Sequence, residues 1–204
     1  IAELAVAFRS HGVVGFDIAG DEFGHPPRRH LEAFKYITSK NFNITIHAGE
    51  AFGIESIWQA VQICGCHRIG HATRLLEDMT VTASGAVKMG TLSHFIRDRR
   101  IPLEICLSSN IHTGAAQSIE LHPFNIFYRN GFRVFLCSDN RLMSNTTLTK
   151  ELAIASSTFS LTLKDIEKLT LNAMKSAFIH YDERLEIIYD ILKPEYEKIR
   201  KSMV

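Results

Sequence analysis

The sequence predicts an α/β fold on a parallel sheet, open or closed, and three observations carry that expectation. Short apolar runs rich in β-branched residues recur between residues 13 and 139. Stretches with apolar residues at helical spacing alternate with them, joined by short connections. One run after another then closes on groups able to do chemistry, as parallel strands do where the following loops shape a pocket.

In order, Ile1, Leu4, Ala5, Ala7 and Phe8 have helical spacing until Gly12 stops them, and residues 13–18 follow as an apolar strand ending in Ala19-Gly20-Asp21-Glu22. Leu31, Phe34 and Ile37 mark a helix over residues 27–40 that leads into a strand from Ile44. Residues 54–64 read as helix, 68–71 as a short strand, 85–100 as helix and 103–108 as strand. Residues 123–129 are expected to be helical, stopped by Gly131, and 134–139 to form the fifth strand. A loop runs to about Leu148 and helices continue to the end. Thr162 and Asp165 resemble a capping box ahead of a stripe of Ile166, Leu169, Ala173 and Phe178. A last helix from Asp182 carries Leu185, Ile188 and Leu192 on one face. No repeat or low-complexity segment interrupts this order, so residues 1–204 read as a single domain. Because the chain begins at Ile1 inside a helix, without methionine, we read it as lacking an N-terminal part.

Length and composition suit one globular domain: 204 residues, 46% hydrophobic and 22% charged. A net charge of +1 with scattered Lys and Arg leaves no footprint for nucleic acid or an anionic membrane. No apolar run approaches the roughly 20 residues that span a bilayer, and no leader pattern opens the chain, so a soluble cytoplasmic protein is expected. Four cysteines, three in or near apolar runs (Cys64, Cys106, Cys137), read as reduced small hydrophobes rather than a disulfide framework.

The stretch that organises the rest is Ile44-Thr45-Ile46-His47-Ala48-Gly49-Glu50. Apolar residues make the strand, Gly49 lets the backbone turn, and His47 and Glu50 arrive together at its C-terminal mouth. A neutral imidazole suits a metal and a nearby carboxyl can carry a proton; the plainer alternative is a core histidine beside a capping glutamate. Other strand ends offer Gly20 and Asp21, His71, Ser109 and Asn110, and Asp139. In a closed barrel these ends share one mouth, where a borderline divalent metal would take nitrogen from His47 and oxygen from Asp139. That metal would bring a bound water toward hydroxide near neutral pH, while Glu50 and His71 handle protons.

These residues carry a resemblance. The stretches Asp17-Ile18-Ala19-Gly20-Asp21-Glu22, His47-Ala48-Gly49-Glu50, Arg68-Ile69-Gly70-His71, Ser109-Asn110 with Gly114, His122-Pro123-Phe124 and Ser138-Asp139 stand in the order of the adenosine deaminase family of the amidohydrolase superfamily. The chain resembles the C-terminal two thirds of such a protein, and Asn140-Arg141-Leu142-Met143-Ser144 is more similar to bacterial members than to animal ones. The resemblance implies a (β/α)8 TIM barrel, here a partial barrel of strands four to eight with the C-terminal helices. It implies one zinc per chain, held by His47 and Asp139 with two further ligands from a missing N-terminal His-x-His. Asp139 would also accept a proton from the attacking water, Glu50 would protonate purine N1 as hydroxide adds at C6, and His71 would hold that hydroxide. Gly20 would donate its backbone N–H to purine N3. The substrate implied is adenosine or 2'-deoxyadenosine, giving inosine and ammonia; the alternatives are an adenine or N6-methyl-AMP deaminase, or a truncated, inactive relative. A small purine nucleoside is the only partner implied.

The chain departs from the family pattern in three places. No His-x-His occurs in it. Asn140 stands where an aspartate commonly contacts purine N7; its amide can still hydrogen-bond there. Leu107 replaces a proline, a change we expect to be neutral. The remaining candidates read more plainly. Cys64-Gly65-Cys66-His67 lacks zinc-knuckle spacing and a second pair. His25, His30, His94, His112 and His180 read as solvated or satisfied histidines, and Trp58, Phe34, Phe95, Phe127 and Phe178 as core packing on helix faces. Gly12-x-x-Gly15 precedes a strand, which is the wrong context for a dinucleotide fingerprint.

Overall fold

A computed structural model describes residues 1–203. Five parallel strands form one sheet in the order β1 (Gly15–Ile18), β2 (Asn43–Ala48), β3 (Arg68–His71), β6 (Leu103–Ile105), β7 (Val134–Leu136). Between β3 and β6 lies an antiparallel hairpin, β4 (Met79–Val81) with β5 (Val87–Met89). The helices are α1 (Ala2–Ala7), α2 (Leu31–Ser39), α3 (Ile54–Trp58), α4 (Thr91–Asp98), α5 (Leu107–His112), α6 (Phe124–Arg129), α7 (Leu148–Phe159), α8 (Leu163–Ser176), α9 (Tyr181–Glu186) and α10 (Lys193–Ser202). No helix among the described residues is long and apolar enough to cross a membrane.

The two faces of the sheet differ in chemistry. Ile44, Ile46, Ala48, Ile69, Leu103, Ile105, Val134 and Leu136 are buried and join the hydrophobic core with Phe34, Ile37, Ile57, Phe124 and Phe127 from the helices. Strand alternation sends Asp17, Thr45, His47, Arg68 and Glu104 to the other face, in two register rows, Asp17–Thr45–Arg68 and His47–Gly70–Glu104. There the Arg68 guanidinium pairs with Glu104, and Thr45 Oγ1 donates to Glu104 at 2.9 Å. The sheet is therefore half core and half polar lining, and the reactive residues cap the polar side.

Several elements depart from the sequence reading for local reasons. The strand expected over 103–108 ends at Ile105, because Leu107–His112 winds into α5 at the strand mouth. The helix expected from residue 85 begins at Thr91, and residues 87–89 pair with 79–81 instead. Gly90 makes that switch: a Cβ there would sit 2.0 Å from Asp78 Oδ1, and the space it vacates lets Asp78 cap α4 through the Ser93 N–H at 2.7 Å. The capping box is present, with Thr162 and Asp165 satisfying each other's backbone ahead of α8. Phe178 falls beyond α8 and lies beneath the Arg68 guanidinium at 3.9 Å, and Trp58 is 41% exposed; neither is the helix-face core residue the pattern suggested.

Candidate active site

Glu22 builds the loop that carries Glu50. Its carboxylate, nearly buried, accepts the backbone N–H groups of Gly49 (2.5 Å), Glu50 (2.9 Å), Ala51 (2.7 Å) and Phe52 (3.1 Å), and the Ser56 hydroxyl. One acid thus satisfies the donors left by the turn that ends β2. Gly49 is required there twice over: its φ is +73°, and a Cβ would meet Ile57 Cδ1 at 2.4 Å. On β3, Gly70 gives His47 room, since a Cβ at Gly70 would lie 3.1 Å from the imidazole Cδ2.

His71 follows Gly70 in left-handed backbone, φ +67°, as does Ala72 at +53°. In strict alternation His71 would share the core face of its register partner Ala48. The turn at φ +67° instead brings its Nε2 to 3.1 Å from His47 Nδ1 and 3.3 Å from Glu50 Oε2. Asp139 is also left-handed, φ +52°. Such conformations cost non-glycine residues about 1–3 kcal/mol and collect at functional sites.

A chain of hydrogen bonds fixes the tautomers. The Phe124 N–H donates to His122 Nδ1 at 3.0 Å, so the proton of neutral His122 sits on Nε2 and faces Asn110 Oδ1 at 3.1 Å. That orients the Asn110 amide so that Nδ2 donates to His71 Nδ1 (3.0 Å) and to Glu50 Oε1 (3.2 Å). His71 therefore carries its proton on Nε2, toward His47 and Glu50. Thr113 Oγ1 adds a second donor to Glu50 Oε1 at 2.9 Å, leaving Oε2 as the freer oxygen.

Burial sets the electrostatics. His122 is pushed down to about 4, first by burial and then by His71, so it stays neutral. Burial likewise lowers His71, against the pull of Glu50 and with a further push from His47. His47 is raised, because its Nε2 faces Asp17 Oδ2 at 3.4 Å.

Two donor sets here have ligand atoms within 4.8 Å of one another: His47, Glu50 and His71; and His71, Cys106 and Asp139. His71 belongs to both, with His47 on one side and Asp139 on the other. Asp139 is steadied by the Ser109 hydroxyl, which donates to Oδ2 at 2.6 Å. Gly20, in left-handed backbone, lines a cavity of about 300 Å3 with His47, Glu22, His25 and His30. His25 and His30, read from sequence as solvated or satisfied histidines, border the site. Asn140 stands apart: it is exposed, and its side-chain oxygen accepts the Met143 N–H at 3.3 Å within its own loop. Sequence reasoning gave no role to Glu22, Asp17, Thr113 or His122. Each lay in or beside a quoted motif, but only the fold reveals what each touches.

The sheet is an arc of an α/β barrel. A solved amidohydrolase from Burkholderia ambifaria, with zinc bound, matches it with a TM-score of 0.80 at 17% identity, over 98% of this chain and 55% of that one. The N6-methyl-AMP deaminase of Arabidopsis thaliana matches with a TM-score of 0.77 at 28% identity, over 97% of this chain and 53% of that one.

The family model described as adenosine deaminase matches residues 1–194, and the chain belongs to the adenosine deaminase family. The adenosine deaminase of Mycobacterium marinum is 54% identical over 196 residues, 96% of this chain and 54% of that protein. The chain spans about half the length of the curated relatives it matches.

Proposed function

We propose that this chain supplies the proton-transfer residues of a zinc-dependent hydrolytic deaminase that converts adenosine or 2'-deoxyadenosine and water to inosine and ammonia. The observation that carries the reading is the convergence of Glu50, His71 and His47 at the strand ends, held by Asn110 and Glu22. The choice of adenosine is supported by 54% identity to the Mycobacterium marinum enzyme, against 28% to the Arabidopsis N6-methyl-AMP deaminase.

The donor chemistry fits zinc in part. Imidazole nitrogen from His47 and carboxylate oxygen from Asp139 would suit a borderline divalent ion, with two further donors from the His-x-His strand of the family and a position left for water. When bound, zinc supplies the acidity that lets water act as a nucleophile near neutral pH. Glu50 is the general acid. With Oε1 occupied by Asn110 and Thr113, its proton resides on Oε2 and passes to purine N1, so that charge pushed into the ring is collected. His71 presents its Nε2 face to the attacking oxygen and holds it in line with C6. Asp139, next along the mouth, takes the proton that oxygen sheds. Gly20 donates its backbone N–H to purine N3 from the cavity wall, and Asn140, by its amide, is the residue we assign to N7.

Ammonia release tests the reading, using the zinc-loaded chain joined to a family segment bearing the His-x-His strand. We expect adenosine to be deaminated at least about tenfold faster than adenine or N6-methyl-AMP, a margin a few well-placed polar contacts supply. A preference for either rival would redirect the assignment, and no ammonia from any of the three would mark an inactive relative.

A further inference from the structure

The opposite end of the sheet holds a second concave site. Asn43 opens β2, Pro102 precedes β6 and Arg133 precedes β7, and all three border a cavity of about 410 Å3 at the N-terminal ends of the strands, away from Glu50 and His71. Five cationic side chains line it, Arg99, Arg100, Arg133, Lys175 and Arg184, and no aspartate or glutamate does. Among the described residues none of the five takes part in an ion pair.

Arg133 is the telling member. Its Nε is buried and has no hydrogen-bond partner. A buried guanidinium N–H normally finds an acceptor, because leaving it unmet costs about 1–3 kcal/mol. Its guanidinium is pushed down by burial and then by Arg100 and Arg184, so three guanidiniums repel one another with no carboxylate between them. Two are fixed in place: Arg100 Nη1 donates to the Gly131 carbonyl at 2.7 Å and Arg184 Nη1 to the Lys175 carbonyl at 3.0 Å. His67, also on the wall, accepts the Ile44 N–H on Nδ1 at 2.9 Å, which leaves its neutral ring one further donor, Nε2–H. A pocket whose charged side chains are all cationic, one of them with a buried N–H left unmet, is incomplete without an anion.

We propose that this cavity binds a small phosphate-bearing anion with more than one negative charge. Guanidinium forks match phosphate oxygens two at a time, and a concave site of this size encloses a diphosphate rather than tracking a polymer. The chain's net charge of +1 and scattered basic residues likewise argue for a confined ligand over a nucleic acid. Inorganic diphosphate and the diphosphate of a nucleotide share this chemistry, and the test separates them.

The experiment is calorimetric titration of the chain with inorganic pyrophosphate and, separately, with ADP, at low ionic strength, against sodium chloride of matched ionic strength. Pyrophosphate is expected to bind one to one, weakened at least about tenfold by Arg133→Met and about threefold by Lys175→Ala. Lys175 is exposed, so that variant carries the test should Arg133→Met fail to fold. ADP binding that is tighter than pyrophosphate and equally sensitive to both substitutions identifies a nucleotide as the occupant; equal affinities identify the inorganic anion. Absence of binding, heats reproduced by chloride, or an affinity untouched by both substitutions would overturn the proposal.

Discussion

Replacing Glu22 by Gln keeps the size of the side chain and removes its charge. In the native chain Oε1 accepts from the Gly49 N–H and the Ser56 hydroxyl, while Oε2 accepts three backbone N–H groups, from Glu50, Ala51 and Phe52. A glutamine has one acceptor oxygen, and its NH2 would point at donors. If the amide oxygen takes the Oε2 position, the Gly49 N–H and the Ser56 hydroxyl face the NH2 and keep only their weaker alternatives, Ser56 Oγ and the Gly53 carbonyl; in the other orientation the Glu50, Ala51 and Phe52 N–H groups lose their acceptor. Hydrogen bonds to a charged group contribute about 1.5–3 kcal/mol each, and the part-exposed donors recover some of that from water. The expected loss is about 2–4 kcal/mol, a large share of the about 5–15 kcal/mol that stabilises a domain. Urea unfolding followed by circular dichroism measures it. A Glu22→Gln protein within about 0.5 kcal/mol of the parent, the range of an ordinary surface substitution, would refute the claim that this carboxylate organises the loop.

Three further outcomes follow from the same geometry. His122→Ala should leave Asn110 free to turn, releasing the tautomer of His71; kcat should fall about 10–100-fold with KM little changed, and Asn110→Asp should not restore it because its carboxylate cannot donate to His71 Nδ1. Asp165 is held down to about 2 by the Thr162 hydroxyl, then by Tyr128, then by the Thr162 backbone. Its folded value lies below the unfolded 3.8, so the stability it adds is present above that value and is lost as pH falls toward 2. Asp165→Asn should therefore cost roughly 1 kcal/mol at pH 6, after discounting for solvent screening, with the gap in urea midpoints closing below pH 4. The chain by itself, with His47 and Asp139 but no His-x-His, should hold zinc weakly; elemental analysis after dialysis finding one tightly held zinc per chain would contradict this.

Much of the site was legible because it sits at strand ends. The run of β-branched residues before His47 announced β2, and the glycine after it announced the turn, so His47 and Glu50 could be placed together from spacing alone. The position of His71 was legible but its direction was not: alternation assigns it to the core face, and only the left-handed φ reverses that. Glu22 was invisible as a clamp because its donors lie 27 to 34 residues away and are mostly backbone, which leaves no pattern in side chains. The hairpin at residues 79–89 was hidden by a helix-like run whose first turn is forbidden by the Asp78 cap. The polar face of the sheet, with Asp17, Thr45, Arg68 and Glu104, was hidden in the sequence because these residues alternate with the apolar ones that mark each strand.

The proposed deamination turns on Glu50 delivering a proton to the purine ring, and Glu50→Gln tests this most directly. In the zinc-loaded protein completed by a His-x-His strand, glutamine keeps the shape and can still accept from Asn110 and Thr113, but holds no transferable proton. Ammonia release from adenosine should fall about 10²–10⁴-fold, the usual cost of losing a general acid, while zinc content stays unchanged. Deamination within about threefold of the parent, far short of that loss, would show that Glu50 only braces the loop and that the proton comes from another group.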